Sequence, residues 1–404
     1  MNDVTQNTAC DYLIIGAGVI GLCLGLKLME RSSDARVVIV EKEGSIAEHA
    51  SGRNSGVLHA GFYYKPDTYK AKFTVAGNST WRSFCEEEQL PINRCGKLVV
   101  ADGPAQLEQL FELERRGKAN GSNVEVIGAE AAREIEPNIR THEKALWSPD
   151  TATVDPLLCC TKLVDKFRAL GGEVRFDSAY TGCDGRRVLT SGGVFEPQVL
   201  INAAGLYADR IACDYGFGSK YTIIPFKGLY IKYTKNKTDL RTNVYPVPDL
   251  KYPFLGVHFT ITVSGEIKIG PTAIPAVWGV KYRGLSRFSV CELASIISQQ
   301  ARLFLSNSFG FRDLAFEEMR KYRLADMVRQ APQLVQEIDP KGFTAYTKPG
   351  IRAQLLNKQT RELEQDFVIE GDRSSVHILN AVSPGFTCAF PFADFILERY
   401  LPSQ

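Results

Sequence analysis

Apolar and polar positions alternate with a changing period along the chain, and the period predicts the elements. Tyr12-Leu13-Ile14-Ile15 is a short continuous apolar run, as expected of a parallel strand buried on both faces. Gly16-Ala17-Gly18-Val19-Ile20-Gly21 follows. Leu22 to Glu30 then reads as a helix, and Arg36 to Val40 as a second strand ended by Glu41. Further on, Lys97 to Ala101 reads as a strand after the turn at Asn93 to Gly96. Residues 104–117 and 156–170 read as helices, and Val174 to Phe176 and Val199 to Asn202 as buried strands. Between about 221 and 271 aromatic and β-branched residues alternate, broken by Pro and Gly. Tyr230 to Tyr233, Val257 to Val263 and Glu266 to Ile269 read there as strands, with Ser264-Gly265 as a hairpin turn. Residues 288–306 and 311–338 read as mainly helical. After 365, Phe367 to Ile369 and Val376 to Leu379 are short strands that lead into Ser383-Pro384-Gly385 and a last helix to about Arg399.

This order predicts an α/β protein with a discontinuous Rossmann-like nucleotide domain from 1–90, 150–215 and 345–404. An α+β substrate domain with an antiparallel sheet is inserted from 91–149 and 216–344. The first turn carries the chemistry of dinucleotide binding. Gly16 permits a tight turn, Gly18 lets the backbone approach a pyrophosphate, and Gly21 lets helix and strand pack closely. The N–H groups that open the helix, at Val19 and Ile20, meet the phosphates together with the positive end of the helix dipole. Glu41, twenty residues after Gly21, can accept hydrogen bonds from an adenosine ribose.

Charge and composition narrow the partners. Lys and Arg number 48 against 46 Asp and Glu, so no global field favours nucleic acid or an anionic membrane. A small anionic substrate has to be held by a few local cations. The ten cysteines form no Cys-x-x-Cys pair and no zinc-like spacing. They are expected to be buried small side chains in a reducing compartment, and no metal site is expected. Met1 to Cys10 is polar and does not read as a signal peptide. No run approaches the ~18–20 apolar residues of a membrane span. The expected location is the cytoplasm, either soluble or attached peripherally to the inner membrane.

Ser51-Gly52-Arg53-Asn54-Ser55-Gly56-Val57-Leu58-His59-Ala60-Gly61 follows Glu41 closely and is placed to run over a pyrophosphate. Gly, Ser and Asn supply hydrogen bonds there without bulk. Taken alone it reads either so or as a glycine-rich surface loop. With its flanks, from His49 to Pro66, it resembles the L-2-hydroxyglutarate dehydrogenases and oxidases, flavoproteins of the D-amino-acid-oxidase-like superfamily. The resemblance continues through Lys70-Ala71-Lys72, Cys95 to Ala101, Ile201 to Arg210 and Tyr245-Pro246-Val247-Pro248. It extends further to Phe254 to Thr260, Gly350-Ile351-Arg352 and Ser383-Pro384-Gly385, so it spans nearly the whole chain in order.

The resemblance implies FAD as cofactor. Its expected contacts are Gly16, Gly18, Val19, Ile20, Gly21, Glu41, Lys42, Ser51, Arg53, Asn54, Ser55, Gly56, Ala204 and Gly205. Ser383, Pro384 and Gly385 are expected on the pyrimidine side of the flavin, where a glycine turn opening a helix can stabilise negative charge. Arg352 in Gly-Ile-Arg resembles the superfamily's carboxylate-binding arginine, with Ala353 where a proline typically follows. A planar guanidinium grips a carboxylate through two hydrogen bonds and so orients the reacting carbon. Histidine suits the proton acceptor, because its ordinary pKa is near 6.5. His59 and His258 are both candidates, and His59 is alternatively a site for a covalent flavin link. Tyr245, Lys227, Arg53 and Lys65 are candidates for further polar contacts, including one to a distal carboxylate. His49, His142 and His377 fall in no constellation.

The implied reaction is oxidation of a small 2-hydroxy acid, L-2-hydroxyglutarate to 2-oxoglutarate, by hydride transfer to flavin N5. An amino-acid or amine oxidase of the same superfamily is the alternative enzyme, and a non-catalytic flavin-binding protein the alternative outside catalysis. Oxygen, a quinone or a carrier protein remain open as electron acceptor. If it is a quinone, Phe311, Leu314, Phe316, Met319, Tyr322, Met327 and Val328 could lie on a membrane surface. Otherwise that segment packs on the substrate domain.

Overall fold

The computed structural model describes residues 7–235, 240–248, 256–276 and 324–402, with 296–298, 300, 301 and 312 between them. The chain forms two compact units. The first comprises Met1–Arg53, Pro156–Ile224 and Ala353–Gln404, and the second Asn54–Asp155 and Pro225–Arg352.

In the first unit a parallel sheet runs in the order Glu173–Arg175, Val37–Val40, Asn7–Ile15, Gly193–Asn202, Ser375–Asn380. The expected apolar runs are its central strands. All four residues of Val37–Val40 are buried, as are Leu13, Ile14 and Ile15. Antiparallel strands Tyr180–Asp184, Arg187–Thr190 and Val368–Gly371 extend the sheet. The helix Val19–Arg31 packs against Pro156–Ala169 and against the last helix, Gly385–Tyr400. Gly16 and Glu41 both stand where central strands end, the edge at which such sheets bind ligands.

The second unit is built on an eight-stranded sheet. Its order is Phe343–Tyr346, Ile231–Tyr233, Ile267–Gly270, His258–Ile261, Asn243–Pro246, Lys97–Val100, Lys144–Ser148, Glu125–Gly128. Neighbours are antiparallel as expected, with one exception. Asn243–Pro246 and Lys97–Val100, which come from the two separate stretches of chain, run parallel. The hairpin at Ser264-Gly265 is present, with Gly265 at φ 79° and Thr262 N–H donating to the Glu266 carbonyl.

Strand alternation gives this sheet two unlike faces. Leu98, Val100, Val244, Phe259, Ile261, Ile267 and Ile269 point to one side and form a single apolar core. Lys97, Val99, Asn243, Tyr245, His258, Thr260 and Lys268 are the alternate positions and take the other side.

The boundaries differ from those expected. Residues 54–90, 150–155 and 345–352 belong to the second unit and 216–224 to the first. Val57–Leu58 pairs with Ala152–Val154, which also pairs with Ile92–Asn93. Asn78 Nδ2 donates to the carbonyls of Leu58, His59 and Asp150 at 3.1, 3.2 and 3.1 Å. Asn78 sits on the helix Tyr69–Glu87, capped by the Thr68 hydroxyl, which accepts from Ala71 N–H. The hydrophobic pattern does not predict this helix. Lys70, Thr74 and Asn78 lie on its buried side and interrupt the apolar stripe.

Among the described residues no helix is long and apolar enough to cross a membrane. Of the apolar set considered for a membrane surface, Met327 and Val328 are buried in the second unit's core. Phe311, Leu314, Phe316, Met319 and Tyr322 lie outside the described residues, as does most of the 288–306 stretch.

Candidate active site and cofactor cradle

The turn at the head of the first unit is shaped by absent side chains. Gly16 has φ +108°, and a Cβ there would lie 2.7 Å from the Ala203 carbonyl oxygen. A Cβ on Gly21 would lie 2.0 Å from the Gly16 carbonyl oxygen, so helix and turn approach closer than any other residue allows. Gly18 is the N-cap of Val19–Arg31, and no acidic side chain occupies that helix's first turn. Ser51 Oγ accepts from Val19 N–H at 2.9 Å, so this hydroxyl stands at the helix start, with Ile20 next in the first turn.

Glu41 is buried. Its two carboxylate oxygens accept from Ala17 N–H at 2.9 Å and Glu43 N–H at 3.0 Å. Burial pushes its carboxyl above the usual range, and the two N–H groups oppose that shift. Each oxygen keeps a lone pair for a hydroxyl donor. A bare backbone turn, a helix start free of acids and an anchored carboxylate suit the pyrophosphate and ribose of a dinucleotide. FAD therefore fits the residues present.

The other expected cofactor residues are placed variously. Lys42 Nζ is 2.6 Å from Glu43 Oε1 and 2.9 Å from His49 Nε2, and lies over the Tyr207 ring. The Arg53 guanidinium is drawn to the Glu48 carbonyl and carboxylate. Ala204 N–H donates to Asn202 Oδ1, and Gly205, at φ +55°, opens the short Gly205–Tyr207 turn. Ser383 and Pro384 lead into Gly385–Tyr400, whose first turn also lacks acidic residues. A Cβ on Gly385 would meet nothing within 4 Å, so that helix start is open. Asn54, Ser55 and Gly56 belong to the second unit, where Asn54 Oδ1 accepts from Gly56 N–H at 2.8 Å.

The expected substrate residues His59, His258, Tyr245 and Arg352 all fall in the second unit. Tyr245 and His258 face each other across adjacent strands, since Val244 pairs with Phe259. Their rings stack with centroids 3.6 Å apart and planes 15° from parallel. His258 Nδ1 lies 2.8 Å from the Gly256 carbonyl. A carbonyl only accepts, so Nδ1 carries the proton and Nε2 holds a lone pair. Burial, with lesser repulsion from Lys97 and Lys268, lowers the His258 pKa to about 3, against the Gly256 contact. His59 is likewise held well below its ordinary value by burial, then by Lys97 and His258. Both imidazoles are neutral at physiological pH.

Arg352 is half-buried in the Gly350–Asn357 strand. Burial lowers its pKa to about 10, opposed by the phenols of Tyr64 and Tyr230. Tyr230 is 6.5 Å from the His258 ring, and its hydroxyl engages Ser55. The guanidinium thus stays cationic among phenols. Lys227 is half-buried on Tyr221–Gly228, opposite Ile274, and Lys65 is exposed. His377 lies in the first unit, where Asn202 and Ser375 bracket its ring.

Lys97 escapes the reading of the sequence. It is fully buried, and its ammonium lies 4.2 Å from the Tyr245 ring centroid. The signal is its parity. Lys97 alternates with Val99 inside an all-buried strand and so points into the protein.

Residues 11–399 match the FAD dependent oxidoreductase family. The chain is 35% identical over 396 residues to an L-2-hydroxyglutarate dehydrogenase of Indibacter alkaliphilus, covering 96% of this chain and 97% of the relative. It is 33% identical to the mitochondrial enzyme of that name from Caenorhabditis elegans, covering 96% and 92%. Among solved structures, an FAD-bound L-α-glycerophosphate oxidase from Mycoplasma pneumoniae superposes with TM-score 0.73 at 23% identity, covering 96% and 93%. A glycine oxidase from Geobacillus kaustophilus does so with TM-score 0.73 at 18% identity, covering 98% and 96%. Those two likenesses show the fold.

Proposed function

Because the chain belongs to the FAD dependent oxidoreductase family, alongside L-2-hydroxyglutarate dehydrogenases, we propose that it oxidises L-2-hydroxyglutarate to 2-oxoglutarate. FAD, when bound, supplies the hydride acceptor. The cradle of Gly16, Gly18, Gly21, Ser51 and Glu41 would hold its dinucleotide part, and the helix start at Gly385 would stabilise charge on its pyrimidine side.

Arg352 grips the C1 carboxylate, its charge made stronger by a half-buried setting. His258 takes the hydroxyl proton on Nε2. The Gly256 carbonyl fixes that tautomer and Tyr245 fixes the ring plane, so the base needs no reorganisation. His59, likewise buried, is held in its neutral form by that burial.

The observation that carries this reading is His258, a neutral imidazole with its accepting nitrogen defined by the Gly256 contact. An alcohol oxidation needs a base in the accepting form, and here burial maintains it. The test is product analysis with a dye acceptor. L-2-hydroxyglutarate should yield 2-oxoglutarate in equal amount to dye reduced, and the D-enantiomer should yield none. Absence of 2-oxoglutarate from the FAD-loaded protein overturns the proposal. Oxygen uptake measured in the same assay separates oxygen from a quinone or carrier as acceptor.

A further inference from the structure

Lys97 is a buried base on the His258 side of the sheet, and the oxidation proposed above gives it no task. Among the described residues no hydrogen-bond acceptor reaches its ammonium. Ring faces stand around it instead, Tyr245 at 4.2 Å, Tyr63 at 5.3 Å and Phe62 at 5.5 Å. Burying an ammonium without hydrogen bonds is costly, and ring quadrupoles recover only part of that cost. An apolar side chain of similar length would pack these rings more cheaply.

The groups that face Lys97 decide what its charge can do. Asn243 and Ser148 stand opposite it on the two neighbouring strands, and neither titrates. Cys95, two residues before it in the chain, Tyr63 and Tyr245 stay protonated, because burial pushes each of them up. That leaves His59, from the loop after Val57–Leu58, and His258. Both feel Lys97 as a like charge.

We propose that Lys97 is a positioning residue for the proton acceptor: it takes the proton that a falling pH delivers to this cluster, and its charge then adds to burial in keeping His258 and His59 in their accepting form. The proposal rests on the reading that a histidine receives the hydroxyl proton. Three buried bases that repel one another cannot all be charged, so the first proton bars the next. Lys97 titrates first. Burial brings it down to about 7, still above either imidazole. Above that pH the solution itself leaves the imidazoles neutral, and below it burial does so chiefly, with the ammonium adding to it. Lys268, brought down to about 8 mainly by burial, adds a weaker repulsion on His258 from the next strand.

The experiment is a histidine titration by NMR on the FAD-loaded protein with 13C-labelled imidazoles, which needs no substrate. There are five histidines to resolve, and single substitutions assign them. In the wild type His59 and His258 should both titrate well below the ordinary 6.5, His258 at about 3. In K97M at least one midpoint should rise by about one pH unit, and the acid limb of kcat/KM should rise with it. K97R, which keeps a charge, should leave both near their wild-type positions. FAD content and melting temperature check the fold, and K97Q serves where K97M does not load FAD. Unmoved midpoints in an FAD-loaded neutral variant overturn the proposal, and so does K97R shifting as far as K97M. If the wild type fails to oxidise L-2-hydroxyglutarate, the functional reading falls while the titration still decides the role of Lys97.

Discussion

The Tyr245 ring lies almost flat against the His258 imidazole, with centroids 3.6 Å apart and planes inclined by 15°. Stacking restricts the imidazole to one plane while its Nδ1–H donates to Gly256. Tyr245→Leu removes the flat support and should lower kcat/KM about tenfold, about 1.4 kcal/mol of transition-state stabilisation. Tyr245→Phe keeps the ring face and should stay near wild type. Steady-state kinetics on both variants checks the pair.

His258→Asn removes the accepting nitrogen and should cost about 10²–10⁴ in kcat, the usual worth of a positioned base. FAD content should be unchanged, because His258 belongs to the second unit and the dinucleotide cradle to the first. His59→Asn should cost less. Equal losses in the two variants would assign the proton to both imidazoles rather than to His258.

Arg352→Met should raise KM and lower kcat/KM by about 2–5 kcal/mol, the range for removing one partner of a buried charge pair. Arg352→Lys should recover only part of that, because an ammonium cannot offer two parallel N–H donors. A monocarboxylic 2-hydroxy acid should suffer the same loss, since the contact is to C1.

Stability should fall as the pH drops from 8 to 5. His258 is at about 3 and His377 at about 4 in the folded chain, both below the ordinary 6.5. The unfolded chain therefore binds more protons between those values, and the stability these groups confer is complete above about 6.5 and is lost toward 3–4. Lys97, at about 7 when folded, acts in the same direction between about 10.5 and 7. Melting temperatures across this range should rise with pH, and Lys97→Met should flatten the alkaline part of the rise.

Gly21→Ala should abolish tight FAD binding and destabilise the first unit by about 1–3 kcal/mol. The added methyl would stand 2.0 Å from the Gly16 carbonyl oxygen. The flavin-to-protein absorbance ratio after purification measures the outcome.

What was legible in the sequence was what local constraint dictates. Gly16, Gly21 and Glu41 are forced by a turn, a close approach and a strand end, and all three stand where the pattern places them. The polar face was only half legible. His258 and Tyr245 could be named singly, but their stacking depends on the pairing of Val244 with Phe259 across separate strands. The boundary at residue 53 was hidden for the same reason, because Val57–Leu58 finds its partner at Ala152–Thr153. The Tyr69–Glu87 helix was obscured by its buried Lys70, Thr74 and Asn78, and Lys97 by the usual expectation that lysine meets solvent.

The most direct measurement is the visible spectrum of the FAD-loaded protein under anaerobic addition of each enantiomer of 2-hydroxyglutarate. The flavin bands should bleach with the L-acid and persist with the D-acid, and Arg352→Met should slow the bleaching at low substrate. Bands unchanged by the L-acid, or bleached equally by both, would contradict the proposed reaction.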